Sequence, residues 1–158
     1  MDFRLTKEQT EKKAEYEEFF KDAMKEAPPE YLNAGVEAGY ETDEGFGFHR
    51  KMQQELGKKG WLSMAWPKEC GGRDAPIFEQ LLFNEVRESS GCPGYDYQGL
   101  GMFAPTLIVS ADDDQKARLL PPIANGEVQY CQGWSEPDAV PIWPHCPPRQ
   151  SGMEMSMW

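Results

Sequence analysis

The sequence predicts a mainly α protein: a helical domain to about residue 125, then the first strand of a β-domain that is left incomplete. Three observations carry this. Apolar residues recur at helical spacing in successive segments up to Pro122. Capping and breaking residues punctuate those segments where helices would start and stop. From Val128 the pattern changes to "VQYCQGW", which alternates and is rich in strand formers.

The elements follow in order. Thr6 can cap a first helix, with Gln9 completing a capping box. Tyr16, Phe19, Phe20, Ala23, Met24 and Ala27 form its stripe, and Pro28-Pro29 stops it. "YLNAGVEAGYETDEGFG" reads as a Gly-spaced linker. A second helix carries Phe48, Met52 and Leu56 on one side and stops at Gly57 or Gly60. "GWLSMAWPKECGG" reads as a rigid, partly buried loop anchored by Trp61 and Trp66 and ended by Gly71-Gly72. Asp74 and Ala75-Pro76 open a third helix with the stripe Phe78, Leu81, Leu82 and Val86. "SSGCPGYDYQG" is a loop, and a shorter apolar helix from Leu100 to Val109 is interrupted by Pro105. The acidic run Asp112-Asp113-Asp114 favours a last helix start through the helix dipole, and Pro121-Pro122 closes that helix before the turn "ANGE".

Composition excludes several function classes. The chain of 158 residues has a net charge of -11 and no basic cluster, so nucleic acid is not an expected partner. No apolar run approaches the ~20 residues that span a bilayer. The charged opening "MDFRLTKEQTEKKAEYEEFF" has no apolar signal core, so a cytoplasmic protein without membrane insertion is expected. Cys70, Cys92, Cys131 and Cys146 are scattered and read as free thiols. With only His49 and His145 as histidines, no metal site is expected. "GFGFHR" lacks the preceding strand that a phosphate loop needs, and His49 reads as a helix surface residue. No residues pair as a catalytic acid and base, and the acidic triplet reads as a solvated helix start.

The informative stretch is "LLPPIANGEVQYCQGWSEPDA". Lys116, Leu120, Pro121, Ile123, Gly126 and Glu127 fit the pattern K-x-x-x-L-P-x-[IL]-x-x-G-E, and Cys131 to Pro137 read Cys-Gln-Gly-Trp-Ser-Glu-Pro. Together these resemble the acyl-CoA dehydrogenase family, at the end of its helical N-terminal domain and the first turn of its β-domain. "WPKECGG" and "LTKEQ" are similar to the family's W-P-x-x-x-G-G link and its opening. The resemblance runs from Phe3 to Ala139. It implies FAD as cofactor, with Gln132, Trp134 and Ser135 as cofactor-binding residues. On the residues alone, Ser135 and Glu136 equally suit the capping of a plain strand-to-turn. The resemblance further implies an acyl-CoA substrate, an electron-transferring flavoprotein as acceptor, and a homo-oligomer at full length. The variant turn and the W-P link resemble members that act on bulky or cyclic acyl groups. The family's catalytic Glu base belongs to a C-terminal helical domain that has no counterpart here, so no catalytic residue is expected in this chain. A stand-alone helical interaction module binding a full-length paralogue is a second reading. An acyl-CoA oxidase-like or nitroalkane-oxidising relative is a third.

Residues 140–158 carry no periodicity and several prolines. Where the family continues with G-S-D, this chain has Val140-Pro141-Ile142-Trp143. Reading each codon from its third base makes Trp143-Pro144 give Ala, His145-Cys146 give Leu, Met153-Glu154 give Gly and Met157-Trp158 give Val. The remaining shifted codons allow G-S-D-L-A-S-L-P-T-x-A-V-R-D-G-D-E-Y-V, which resembles the family's continuation. The expectation is therefore a helical domain over 1–125, the start of a β-domain over 126–139, and an out-of-frame tail over 140–158. Such a fragment would be inactive alone.

Overall fold

The computed structural model describes residues 4–29, 31 and 40–133. Its helices are α1 (Lys7–Ala23), α2 (Asp43–Lys58), α3 (Ile77–Ser90), α4 (Ala104–Ser110) and α5 (Asp113–Ala124). A π-helical stretch, Tyr97–Phe103, runs directly into α4, and short 3-10 turns lie at Met24–Glu26 and Lys68–Cys70. Among the described residues there is no strand.

Local chemistry places the helix starts. The Thr6 hydroxyl accepts from Gln9 N–H at 3.2 Å while the Gln9 side chain accepts from Thr6 N–H at 2.8 Å, the expected box. Asp112 and Gln115 build a second box at the start of α5. Thr42 caps α2 by accepting from Gly45 N–H, with Asp43 and Glu44 in the first turn. The sequence DEGFG is therefore helical, where a linker was expected. A β-region cap followed by acidic residues outweighs the low helix propensity of Gly45 and Gly47.

The sequence has Pro105 interrupting one helix and Pro121-Pro122 closing another, yet none of the three stops its helix. Pro105 sits where the π-helical stretch passes into α4, so the change of hydrogen-bond pattern falls beside the residue whose donor is missing. Pro121 and Pro122 lie inside α5. Proline lacks a donor but keeps its acceptor: Asn125 and Glu127 N–H donate to the carbonyls of Pro121 and Pro122, so the chain closes its last turn beyond them.

The core forms where α1 packs against α3. Tyr16, Phe19 and Phe20 from α1 meet Trp61 and Phe83 with ring centroids 4.9–6.3 Å apart, several of them edge-on. The α3 stripe differs from expectation. Leu82, Phe83 and Val86 face inward, while Ile77, Phe78 and Leu81 are exposed. The spacing admits either face; packing against α1 selects the one that brings Phe83 to Tyr16 and Phe20.

The link from Trp61 to Ala75 is the anchored loop that its tryptophans predict: Trp61, Leu62, Met64 and Trp66 are all buried. Gly71 has φ +81°, and the Gly72 backbone presses on Trp66, so a Cβ there would come within 2.0 Å of the Trp66 carbonyl oxygen. Trp66 O also accepts from Asp74 N–H at 2.9 Å. The two glycines of the W-P-x-x-x-G-G link are thus demanded by backbone geometry, one by conformation and one by proximity.

Candidate functional site

The segment leaving α5 leads to Gln132, Trp134 and Ser135. Gln132 is exposed at the end of the described chain; Trp134 and Ser135 lie outside the described residues. The residues before them are held in a specific way. Gly126 takes φ +69° and lies so close to α2 that a Cβ would sit 2.4 Å from Gln53 O. Arg50 Nη2 donates to Glu127 O at 2.6 Å and its Nη1 to Gln53 Oε1 at 2.6 Å. Gln53 Nε2 donates to Val128 O at 2.9 Å. Tyr130 N–H donates to Asp96 Oδ2 at 2.9 Å, and the Tyr130 ring packs tilted against Phe103 with centroids 4.6 Å apart.

Side chains of α2 and of the loop before the π-helix therefore occupy backbone groups that a neighbouring strand would otherwise satisfy. This corrects the expected strand: residues 128–133 adopt no regular secondary structure. Strand-forming side chains do not make a strand without a second backbone to pair with.

His49 is a second correction. It was expected on the helix surface, yet it is 1% exposed. Its Nε2 lies 3.4 Å from Gln129 Nε2, which also donates to Tyr40 Oη at 3.0 Å, while its Nδ1 is buried without a hydrogen-bond partner. Burial lowers its pKa from the ordinary histidine value, Arg50 lowers it further, and Asp96 opposes the shift. The imidazole is a wall of the seam, one residue from Arg50 on the same helix.

Other expected features are ordinary. Cys70, Cys92 and Cys131 are free thiols, and burial pushes the Cys92 thiol up to about 12, so it is inert at neutral pH. No group of three His, Cys, Asp or Glu suited to a metal occurs among the described residues. No described helix is long and apolar enough to cross a membrane. A cleft of about 490 Å³ opens beside Cys70, Lys116, Leu120 and Asn125. Among the described residues, the unpartnered buried polar atoms are His49 Nδ1 and Arg87 Nε, and neither residue lines it.

The family model for the acyl-CoA dehydrogenase N-terminal domain matches residues 6–127, the whole helical body up to the seam. The chain belongs to the acyl-CoA dehydrogenase family. Acyl-CoA dehydrogenase FadE29 of Mycobacterium tuberculosis is 32% identical over 137 residues, covering 85% of this chain and 33% of the relative. Acyl-CoA dehydrogenase FadE26 of the same organism is 35% identical over 91 residues, covering 58% of this chain and 22% of the relative. Among solved structures, the ChsE4-ChsE5 complex from Mycobacterium tuberculosis matches with a TM-score of 0.69 at 29% identity, over 88% of this chain and 33% of that one. The Tcur3481-Tcur3483 steroid ACAD matches with a TM-score of 0.70 at 29% identity, over 88% of this chain and 34% of that one. The chain spans about a third or less of the length of these relatives.

The family was legible in the sequence, whereas the contacts that Arg50, Gln53 and Asp96 make with residues 127–130 were not. The backbone groups they hold lie 34 to 77 residues away, so no local spacing marks them. The nearest signals were glycines. Gly94 and Gly126 are where backbone meets backbone around Gln53.

Proposed function

We propose that this chain forms the N-terminal helical wall and the first flavin-facing turn of an FAD-dependent acyl-CoA dehydrogenase. The supporting observation is continuity. The family match ends at Glu127, and the Cys131–Pro137 turn begins four residues later on a segment anchored to the helical body. The exposed Gln132 amide offers an acceptor and two donors, and with the Ser135 hydroxyl it suits the polar pyrimidine edge of a flavin. When bound, FAD supplies the hydride acceptor for α,β-desaturation of an acyl-CoA thioester. The residues here bind and orient: Gln132 and Ser135 by hydrogen bonds, Trp134 by its aromatic face.

The substrate class we propose is an acyl-CoA with a bulky, fused-ring acyl group. The steroid ACAD likeness supports it, as does the variant Cys-Gln-Gly-Trp-Ser-Glu-Pro turn. Electron transfer would run to an electron-transferring flavoprotein. The two-protein names of the matched structures favour assembly with a second, non-identical dehydrogenase subunit over the homo-oligomer that the sequence suggests. In this proposal the α-proton is taken by a Glu outside this chain, so the chain by itself desaturates nothing and holds FAD weakly. Residues 140–158 would be out-of-frame translation.

Two measurements test this. Anaerobic addition of fused-ring and straight-chain acyl-CoA to the purified chain with FAD should leave the flavin spectrum oxidised; bleaching would overturn the proposed inactivity. Sequencing the gene across the Ala139 codon should show the other frame open past Trp158 into β-domain sequence. If that frame closes at once, the interaction-module reading replaces this one.

A further inference from the structure

We infer that Asp96 is a positioning residue that sets the direction in which the chain leaves the helical body toward the flavin-facing turn. This rests on the reading that Gln132, Trp134 and Ser135 belong to that turn.

Asp96 is 4% exposed, which is costly for a carboxylate unless its position serves something. Its place is fixed from several sides. Its carbonyl accepts from Leu100 N–H at 2.8 Å. Gly94, at φ +102°, turns the chain against α2, where a Cβ would strike Gln53 N at 2.7 Å. Gly99 makes room for the carboxylate itself: a Cβ there would lie 2.4 Å from Asp96 Oδ2 and 3.0 Å from the Tyr130 ring. The carboxylate held this way accepts Tyr130 N–H, a charge-assisted bond stronger than one between neutral groups.

The Tyr130 contact is the last described tether before the turn. Arg50 and Gln53 hold the carbonyls of Glu127 and Val128, whereas Cys131, Gln132 and Gly133 are exposed. From Tyr130 to Gly133 the chain can reach up to about 10 Å, so a rotation at Tyr130 is carried into a displacement of Gln132 and Gly133. A hydrogen-bonded cofactor edge tolerates roughly 0.5 Å. Control of direction therefore has to sit at the pivot, and Asp96 supplies it there without a partner strand.

The test is direction, not stability. Backbone residual dipolar couplings of residues 128–133 and of α2 are measured in the 158-residue chain as wild type, Asp96→Ala and Asp96→Asn. Thermal melts are recorded alongside. In Asp96→Ala the couplings of Gln129 to Gly133 should fall at least twofold while those of α2 stay at their wild-type values. Asp96→Asn keeps an accepting oxygen and should restore most of the coupling. Wild-type couplings throughout Asp96→Ala overturn the inference. So does an equal collapse in α2 and in the segment in both variants, which makes Asp96 a fold residue only. No flavin is present, so the couplings report the tether alone; the flavin reading stands or falls separately, on whether the other reading frame past the Ala139 codon continues into β-domain sequence.

Discussion

Apart from the 3-10 turn at Lys68–Cys70, the link from Trp61 to Ala75 and the seam from Gly126 to Gly133 are both irregular chain, yet burial and long-range polar contacts hold them in different proportions. The link is held by area. Trp61, Leu62, Met64 and Trp66 sink into the aromatic cluster of α1 and α3. The seam packs Val128 and Tyr130 only partly against the core and adds individual polar contacts, with Arg50, Gln53 and Asp96 each capturing one backbone group. Area burial is non-directional and large, while hydrogen bonds are individually small but fix geometry. Burial holds the link in place, while the polar contacts fix where the backbone of residues 127–130 lies.

This contrast breaks or sharpens under substitution. Trp61→Ala should cost about 3–5 kcal/mol, read by urea denaturation, because it empties the centre of the cluster. Gly72→Ala should cost more than about 1 kcal/mol in the same assay, since its Cβ meets a backbone oxygen that cannot rotate away. Gln53→Leu is the matching change in the seam. It conserves bulk but strands the Val128 carbonyl and one Arg50 donor, for about 1–3 kcal/mol. Its amide exchange should rise at residues 127–130 more than in α1 or α3. Uniform exchange increases would show that the seam is stabilised like the link, and the contrast would fall.

The smallest effect should be a pH slope belonging to the seam alone. His49 has a folded pKa below its ordinary value of 6.5, chiefly through burial. Its contribution to stability is therefore complete above about pH 6.5 and is lost as pH falls from there through the folded pKa, where the buried ring must take a proton. His49→Phe should flatten that slope in melts taken across this window and leave the alkaline side unchanged. An unaltered slope would assign the titration elsewhere.

The sequence by itself determined the helical class, the Thr6–Gln9 capping box, the acidic start of the last helix, the buried tryptophan link and the family, because caps, breakers and short turns are written within a few residues of one another. Thr6 with Gln9 and Trp66 with Gly71-Gly72 are readable without knowing anything else in the chain. Tertiary structure decided what depends on distant partners. It chose Phe83 over Phe78 as the inward face of α3, buried His49, and turned an expected strand into a segment clamped by side chains. It also brought Gln53 and Asp96 to Val128 and Tyr130 across gaps of 75 and 34 residues. Helical periodicity names candidate faces, but only a neighbour selects one. A strand-like pattern states what a side chain prefers, and whether a ladder forms depends on which backbone or side-chain groups are there to receive its hydrogen bonds.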